Sequence, residues 1–305
     1  MPTFTSTAPE LLEPWVTKIF FDEYTQLPEM FPKVFNMKTS TKAFEDTFAV
    51  SGLGPFALKP EGTPVTYDDP VQSGRKRTVH STFALGFRVT MEMMDDDQHN
   101  IISRMPQDLS RSARHNREVN AWSRLNNGFA GGTATGLPEG DGVARTLFNT
   151  AHIRLKDLGV SSNQANPGVA MSVSGIEDAI TNFRLTQDDS GRRINIMPKQ
   201  IVCHPNDEFV SMQILDSQQE PYTADNQINT ISRMGLTATS VPYLTDTDAW
   251  FLFAAKNQHS LCFYDRMKLK FDRNKDSQTK DALFDAMMRY SVTHDDWRGA
   301  YGSNP

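Results

Sequence analysis

Cysteine is scarce in this chain, with two residues in 305. Cys203 and Cys262 each sit among apolar neighbours, which marks them as reduced, buried thiols rather than a disulfide framework. No apolar run reaches 18 residues and the start lacks a charged-then-apolar pattern, so neither a membrane span nor a secretion signal is expected. Positive charge is also in short supply. Thirty-one Lys and Arg face 37 Asp and Glu, a net charge of −6, which disfavours a protein that coats nucleic acid over its whole surface. Catalytic signatures are missing as well: there is no G-x-S-x-G, H-E-x-x-H, Walker loop or dinucleotide fingerprint.

The histidines do not repair that lack. His99 beside Asp95, Asp96 and Asp97 is the most metal-like cluster, yet adjacent aspartates point in different directions and no second histidine follows at helical spacing. His115 and Glu118 read as a surface pair on a helix. His204 cannot easily serve Cys203, because strand neighbours face opposite sides. No catalytic, metal-binding or cofactor-binding residue is assigned, and the reading moves towards a structural role.

What is present centres on residues 79–129. From 79 to 93 the odd positions are apolar apart from Ser81: Val79, Phe83, Leu85, Phe87, Val89, Met91 and Met93. That period of two predicts a strand. Fully extended it would span about 50 Å, against about 17–20 Å for a usual strand. The expected radius of gyration is only about 19 Å for this length, so the sequence predicts a protruding ribbon whose apolar face another molecule covers. An acidic hinge at Asp95, Asp96 and Asp97 leads into a long helix, capped at Asn100 or Ser103, with Pro106 in its first turn and no Gly or Pro over 107–127. Arg104, Arg111, Arg114, Arg117 and Arg124 make it basic, which reads as a solvated or salt-bridged face, or as a contact between subunits.

Around this stretch, residues 1–42 mix Pro with Trp15, Val16, Ile19, Phe20, Phe21 and Tyr24, an arm that needs a surface to lie on. A weaker alternation over 43–58 is expected to pair antiparallel with 79–93. Its connection, 59–77, is broken by Pro60, Gly62, Pro64, Pro70 and Gly74 and ends in Arg75, Lys76 and Arg77, giving a long hairpin with a charged, mobile tip. The glycine-rich stretch 128–142 lacks the lysine of a phosphate loop. A helix over 172–184 with a Ser174/Glu177 capping box, a strand over 199–204 and a helix over 205–215 burying Phe209, Met212 and Ile214 or Leu215 give the middle an α/β character. Strands follow over 236–241, 249–255, 261–271 and 284–292. The fold class is therefore α+β, and 305 residues suffice for a full core in one large domain or two modest ones.

The order of these parts resembles the HK97-type fold of tailed-bacteriophage major capsid proteins. The resemblance is carried by TLFNTAH (146–152), SVSGIEDAITNFRLTQDDSG (172–191), PYLTDTDAWFLFA (242–254) and HDDWRGAYG (294–302), and it points towards the Mu-like major head group. It implies an N-terminal arm (1–42), an extended loop hairpin or E-loop (43–94), a peripheral domain with a spine helix (95–169), an axial domain (170–258) and closing strands of the peripheral domain (259–305). The implied function is self-assembly into hexamers and pentamers of an icosahedral shell around double-stranded DNA, in the virion, after synthesis in the host bacterial cytoplasm. Implied partners are further copies of the chain, packaged DNA without sequence specificity, and separate scaffolding, portal and decoration proteins; no membrane and no cofactor is involved. The fold begins almost at once, so a separate scaffolding protein or a retained start is expected in place of a long cleaved prodomain. Lys59 and Lys76 lie in the hairpin without a matching asparagine and glutamate, so no covalent cross-links are expected. The expected inter-subunit contacts are Trp15, Phe20, Phe83, Leu85, Phe87, Arg75, Lys76, Arg77, Arg111 and Arg114. A protein-cargo compartment of the encapsulin type is the alternative use of the same fold, and a metal-dependent hydrolase at Asp95, Asp96, Asp97 and His99 an alternative of another class.

Overall fold

A computed structural model describes residues 8–90, 93, 101–219, 228–276, 278–279 and 281–305. In chain order come helix α1 (Ala8–Gln26), strands β1 (Asn36–Thr39), β2 (Phe44–Thr47), β3 (Lys76–Val79) and β4 (Ser81–Val89), and the long helix α2 (Ile101–Asn126). Short strands β5 (Thr135–Pro138), β6 (Ala144–Thr146), β7 (His152–Ile153) and β8 (Val160–Ser161) lead to α3 (Val173–Leu185), β9 (Pro198–Cys203) and α4 (Glu208–Asp216). The chain closes with β10 (Thr237–Ser240), β11 (Trp250–Ala254), β12 (Cys262–Lys275), β13 (Ala282–Thr293) and β14 (Ala300–Ser303).

Two four-stranded sheets organise these elements, one in the order β1-β12-β13-β4 and one in the order β10-β9-β11-β14. The first is mostly antiparallel, with β1 added parallel to β12. Helix α2 lies across it, as its drifting apolar positions require, burying Leu109, Ala113, Ala121, Trp122 and Leu125. At 26 residues it is about 39 Å long. The second sheet packs α3 through Ile176, Ile180 and Phe183.

Strand β11 joins the two halves. Its run Trp-Phe-Leu-Phe-Ala is wholly buried because alternate residues serve different cores. Phe251 and Phe253 enter the aromatic core beneath α2 with Phe148, Trp122 and Phe263. Trp250, Leu252 and Ala254 enter the core under α3. A strand buried on both faces reads as a continuous apolar run, which is why 249–255 shows no alternation. Strand β14 pairs with β11, so the closing stretch is divided between the two sheets, and Gly302 leaves room there for Phe148, whose ring a Cβ would approach to 2.9 Å.

Several expectations need correction. The strand at the ribbon ends at Val89 and pairs along its length with β13, not with the 43–58 segment; Met91, Asp95, Asp96, Asp97, His99 and Asn100 lie outside the described residues. The hairpin partner of β2 is β3. The ribbon's apolar face is therefore covered in part at home, since β13 brings Tyr290 and Phe284 against Phe83 and Phe87, while Leu85 stays exposed. Pro106 falls in the second turn of α2, not the first. The cap of α3 is Ser172, whose hydroxyl accepts from the Gly175 amide at 3.1 Å, while Glu177 accepts the Thr230 hydroxyl. Phe209 is 73% exposed and Met212 is exposed too, because α4 buries Ser211 and Ile214 and packs Val210 and Leu215 beside them. Glu118 is no surface partner of His115: it is buried, accepts from Trp122 Nε1 at 2.7 Å and from the Met30 amide, and burial raises its pKa.

Candidate inter-subunit surface

The hairpin begins at a well-tied base. Arg77 reaches Asp46 through Nε and Nη2 at 2.8 and 2.9 Å and stacks its guanidinium 3.8 Å from the Phe44 ring centroid. Arg75 lies 3.5 Å from the same carboxylate. That side-chain bridging, with the two guanidinium charges nearby, lowers the Asp46 pKa from the usual carboxylate value. Lys76 turns inward and donates to the carbonyls of Thr135, at 2.9 Å, and His294. Burial depresses its pKa to about 8. The basic cluster is thus a fastening at the root of the hairpin, whereas the sequence suggested a charged tip.

Beyond the base the two arms run side by side. The Ser51 amide donates to the Val71 carbonyl and the Ser73 amide to the Ala49 carbonyl, at 2.8 and 2.9 Å. The hydroxyls of Ser51 and Ser73 accept from the Val71 and Ala49 amides in return. Two further ties hold the arms to the body: Lys156 with Asp68, and the Ser190 hydroxyl with the Gly52 carbonyl at 2.9 Å. From 55 to 67 the only hydrogen bonds among the described residues lie within the turn, from Thr63 to Pro60. Gly62 sits in that turn at φ +78°, a conformation glycine adopts without strain.

This outer part carries large apolar side chains with nothing over them. Phe48, Leu53, Leu58, Val65 and Tyr67 are exposed and Phe56 is completely so. A run of such groups on a thin two-stranded projection has no core of its own to enter, and apolar patches of that kind mark places where another molecule sits. Apart from Phe48, which belongs to the weaker alternation over 43–58, the sequence reading missed them because they follow no strand period. Large apolar residues inside a Pro- and Gly-rich loop were the available signal.

The residues singled out from sequence divide into groups. Trp15 is 45% exposed on α1 and Leu85 is 55% exposed on β4, so both remain open to a neighbour. Phe20 is fully buried and stacks on Phe271 at 4.7 Å, so α1 is pinned to its own sheet there. Phe83 stacks on Tyr290 at 4.7 Å and Phe87 on Phe284 at 5.1 Å, both from β13. Phe20 is thus taken up inside the subunit, whereas Phe83 and Phe87 are stacked there and remain part-exposed. Arg111 pairs with Glu23 at 2.8 Å, and Arg114 donates to the Leu27 carbonyl at 3.2 Å, binding α2 to α1 and the turn after it.

Beneath them Arg117 forms a buried ionic centre with Asp265, at 3.0 and 3.2 Å, and with Glu29, whose Oε1 lies 2.7 Å from Nε. Burial opposes its charge, and the two carboxylates more than offset that, holding its pKa above the usual guanidinium value. Cys203 and Cys262 are free and buried, with thiol pKa values raised by burial, that of Cys203 to about 11. Among the described residues no group of His, Cys, Asp and Glu is arranged to hold a metal ion. No helix among them is long and apolar enough to cross a membrane.

Comparison with known proteins bears on this geometry. A family model described as phage capsid protein matches residues 76–303. No curated protein matches the chain by sequence. The procapsid of bacteriophage JBD30 is similar in structure with a TM-score of 0.52 and 16% identity, covering 99% of this chain and 76% of that one. The head structure of Helicobacter pylori bacteriophage KHP40 gives 0.55 at 9% identity over 92% and 93% of the two chains. The holo-SrpI encapsulin complex of Synechococcus elongatus gives 0.51 at 8% over 91% and 87%. At such identities these likenesses show the fold, an HK97-like α+β fold.

Proposed function

Because the chain belongs to the phage capsid protein family, we propose that it builds an icosahedral phage head from hexamers and pentamers of itself, around double-stranded DNA. It is a major capsid protein, its role is structural, its copies assemble into a shell, and its place is the virion capsid. The hairpin is the E-loop and lies on the next subunit, α2 is the spine of a peripheral domain with the first sheet, and α3, α4 and the second sheet form the axial domain. The nearest relatives are expected in the Mu-like major head group. DNA is enclosed without its sequence being read, in keeping with a net charge of −6. Scaffolding, portal and decoration proteins join the copies during head assembly. No catalytic step is assigned.

One observation carries this reading: the outer hairpin displays Phe56, Leu58 and Tyr67 to solvent on a projection that its own body does not cover. Negative-stain microscopy of the chain expressed alone, together with light scattering, tests it. Closed particles of uniform size are expected. A compact monomer that stays monomeric at high concentration overturns it. A protein-cargo shell would share the fold, and the family match over 76–303 favours the phage head.

A further inference from the structure

Beside the root of the hairpin lies an open basin of about 290 Å³, whose lining includes Lys76, Thr78, Ser81, Ser123, Arg124 and Thr293. Strand β3, the last turn of α2 and strand β13 meet there. Arg124 supplies five N–H donors, yet its side chain has no hydrogen bond or ion pair among the described residues, and burial alone lowers its pKa from the guanidinium value. Other arginines withdrawn from solvent are treated differently. Arg117 holds Glu29 and Asp265, Arg145 holds Glu139 and Asp141, and Arg298 holds Asp189 and Asp296.

The same basin holds a second cation. The Lys76 ammonium is satisfied by backbone carbonyls, and its charge is disfavoured first by burial and further by Arg124, with Asp295 opposing. Behind it His294 is fully buried and kept neutral by burial and by these same cations, with neither ring nitrogen hydrogen-bonded. Two positive groups drawn partly out of water, mutually repelling and ringed by hydroxyls, make an incomplete arrangement. A charge removed from water is stable only when paired.

We propose that this basin is an anion site completed on assembly, when a carboxylate side chain of a neighbouring copy enters it and pairs with Arg124 beside Lys76. The inference rests on the shell-forming reading above. Every copy has carboxylates to spare, with 37 acidic against 31 basic side chains. The basin opens where the hairpin that is proposed to lie on the next subunit leaves the body. A flexible Asp or Glu can reach a guanidinium set back in a concavity, and its two oxygens match the planar fork. Duplex phosphates sit on a stiff convex backbone that does not fit the concavity.

The test compares wild type with Arg124→Gln and Arg124→Lys, each examined as dissociated subunit and as shells assembled without nucleic acid. The glutamine variant is expected to melt no lower than wild type as a subunit, because it loses an unpaired charge. It is also expected to need at least tenfold more protein to assemble, with weaker dependence on NaCl, and the lysine variant to lie between them. Assembly of Arg124→Gln at the wild-type concentration overturns the proposal. So does a fall in subunit melting temperature that accounts for the whole assembly defect, or a defect confined to particles containing DNA, which assigns the basin to phosphate. Failure of the wild-type chain to form shells even with a scaffolding protein supplied overturns the shell-forming reading itself, and so is distinguished from failure of the basin proposal.

Discussion

Replacing Phe56 and Leu58 by serine separates the stability of the subunit from that of the shell. Both side chains are exposed along the outer hairpin and touch no buried core of their own chain. Substitutions at such positions change folding free energy by no more than about 0.5 kcal/mol. Covering a Phe or Leu side chain that was exposed is worth about 1.5–3 kcal/mol. If a neighbour covers both, the double variant loses about 3–6 kcal/mol of contact energy per subunit. At 1.4 kcal/mol per tenfold, the protein concentration at which shells form rises by about a hundredfold to ten-thousandfold. Sedimentation velocity over a dilution series measures that threshold, and urea unfolding of the dissociated subunit supplies the control. Shells forming at the wild-type threshold from a subunit of unchanged stability refute the assignment of the hairpin as a contact.

Three further outcomes are expected. Phe20→Ala costs the dissociated subunit about 3–5 kcal/mol in urea unfolding, because the ring is buried against Phe271; an unchanged subunit shows that α1 belongs on a neighbour instead. Arg117→Met leaves Glu29 and Asp265 facing each other in a buried site and costs about 3–5 kcal/mol; adding Asp265→Asn recovers part of it, and a loss below 1 kcal/mol by the same assay rejects the ionic centre. Subunit stability falls with acid before the carboxylates titrate. Burial depresses the folded pKa of His259 to about 4, so the unfolded chain binds the extra proton first, and stability is lost as pH falls from 6.5 towards 4, by about 2 kcal/mol at pH 5 from this group alone. His294 acts in the same direction. A midpoint of urea unfolding that does not move between pH 7.5 and 5 contradicts this account.

The α3 helix, β9, β11 and the two closing strands were legible because each carries a clear period or a short buried run, and the long helix because no Gly or Pro interrupts 107–127. The order of those parts also carried the family resemblance. Partner choice was less legible. The alternation over 79–93 correctly marked a strand with an apolar face, but periodicity does not say which strand pairs with it, and here β13 does so from two hundred residues away in sequence. Phe83, Phe87 and Phe20 were therefore assigned to a neighbour although Tyr290, Phe284 and Phe271 already occupy them. Charge misled in the same way. Arg75, Lys76 and Arg77 look like a patch, yet their positions opposite Asp46 and beside the Thr135 and His294 carbonyls follow only from the pairing of β2 with β3. The exposed hairpin aromatics lack any period, and Arg124 is one arginine among several on α2 whose isolation only the folded surroundings reveal.

The party wall formed by β11 ties the two halves of the subunit to one strand register. Sliding that strand by one residue would present phenylalanines to the room built for tryptophan and leucine, and the reverse, so one misregistration spoils both halves together.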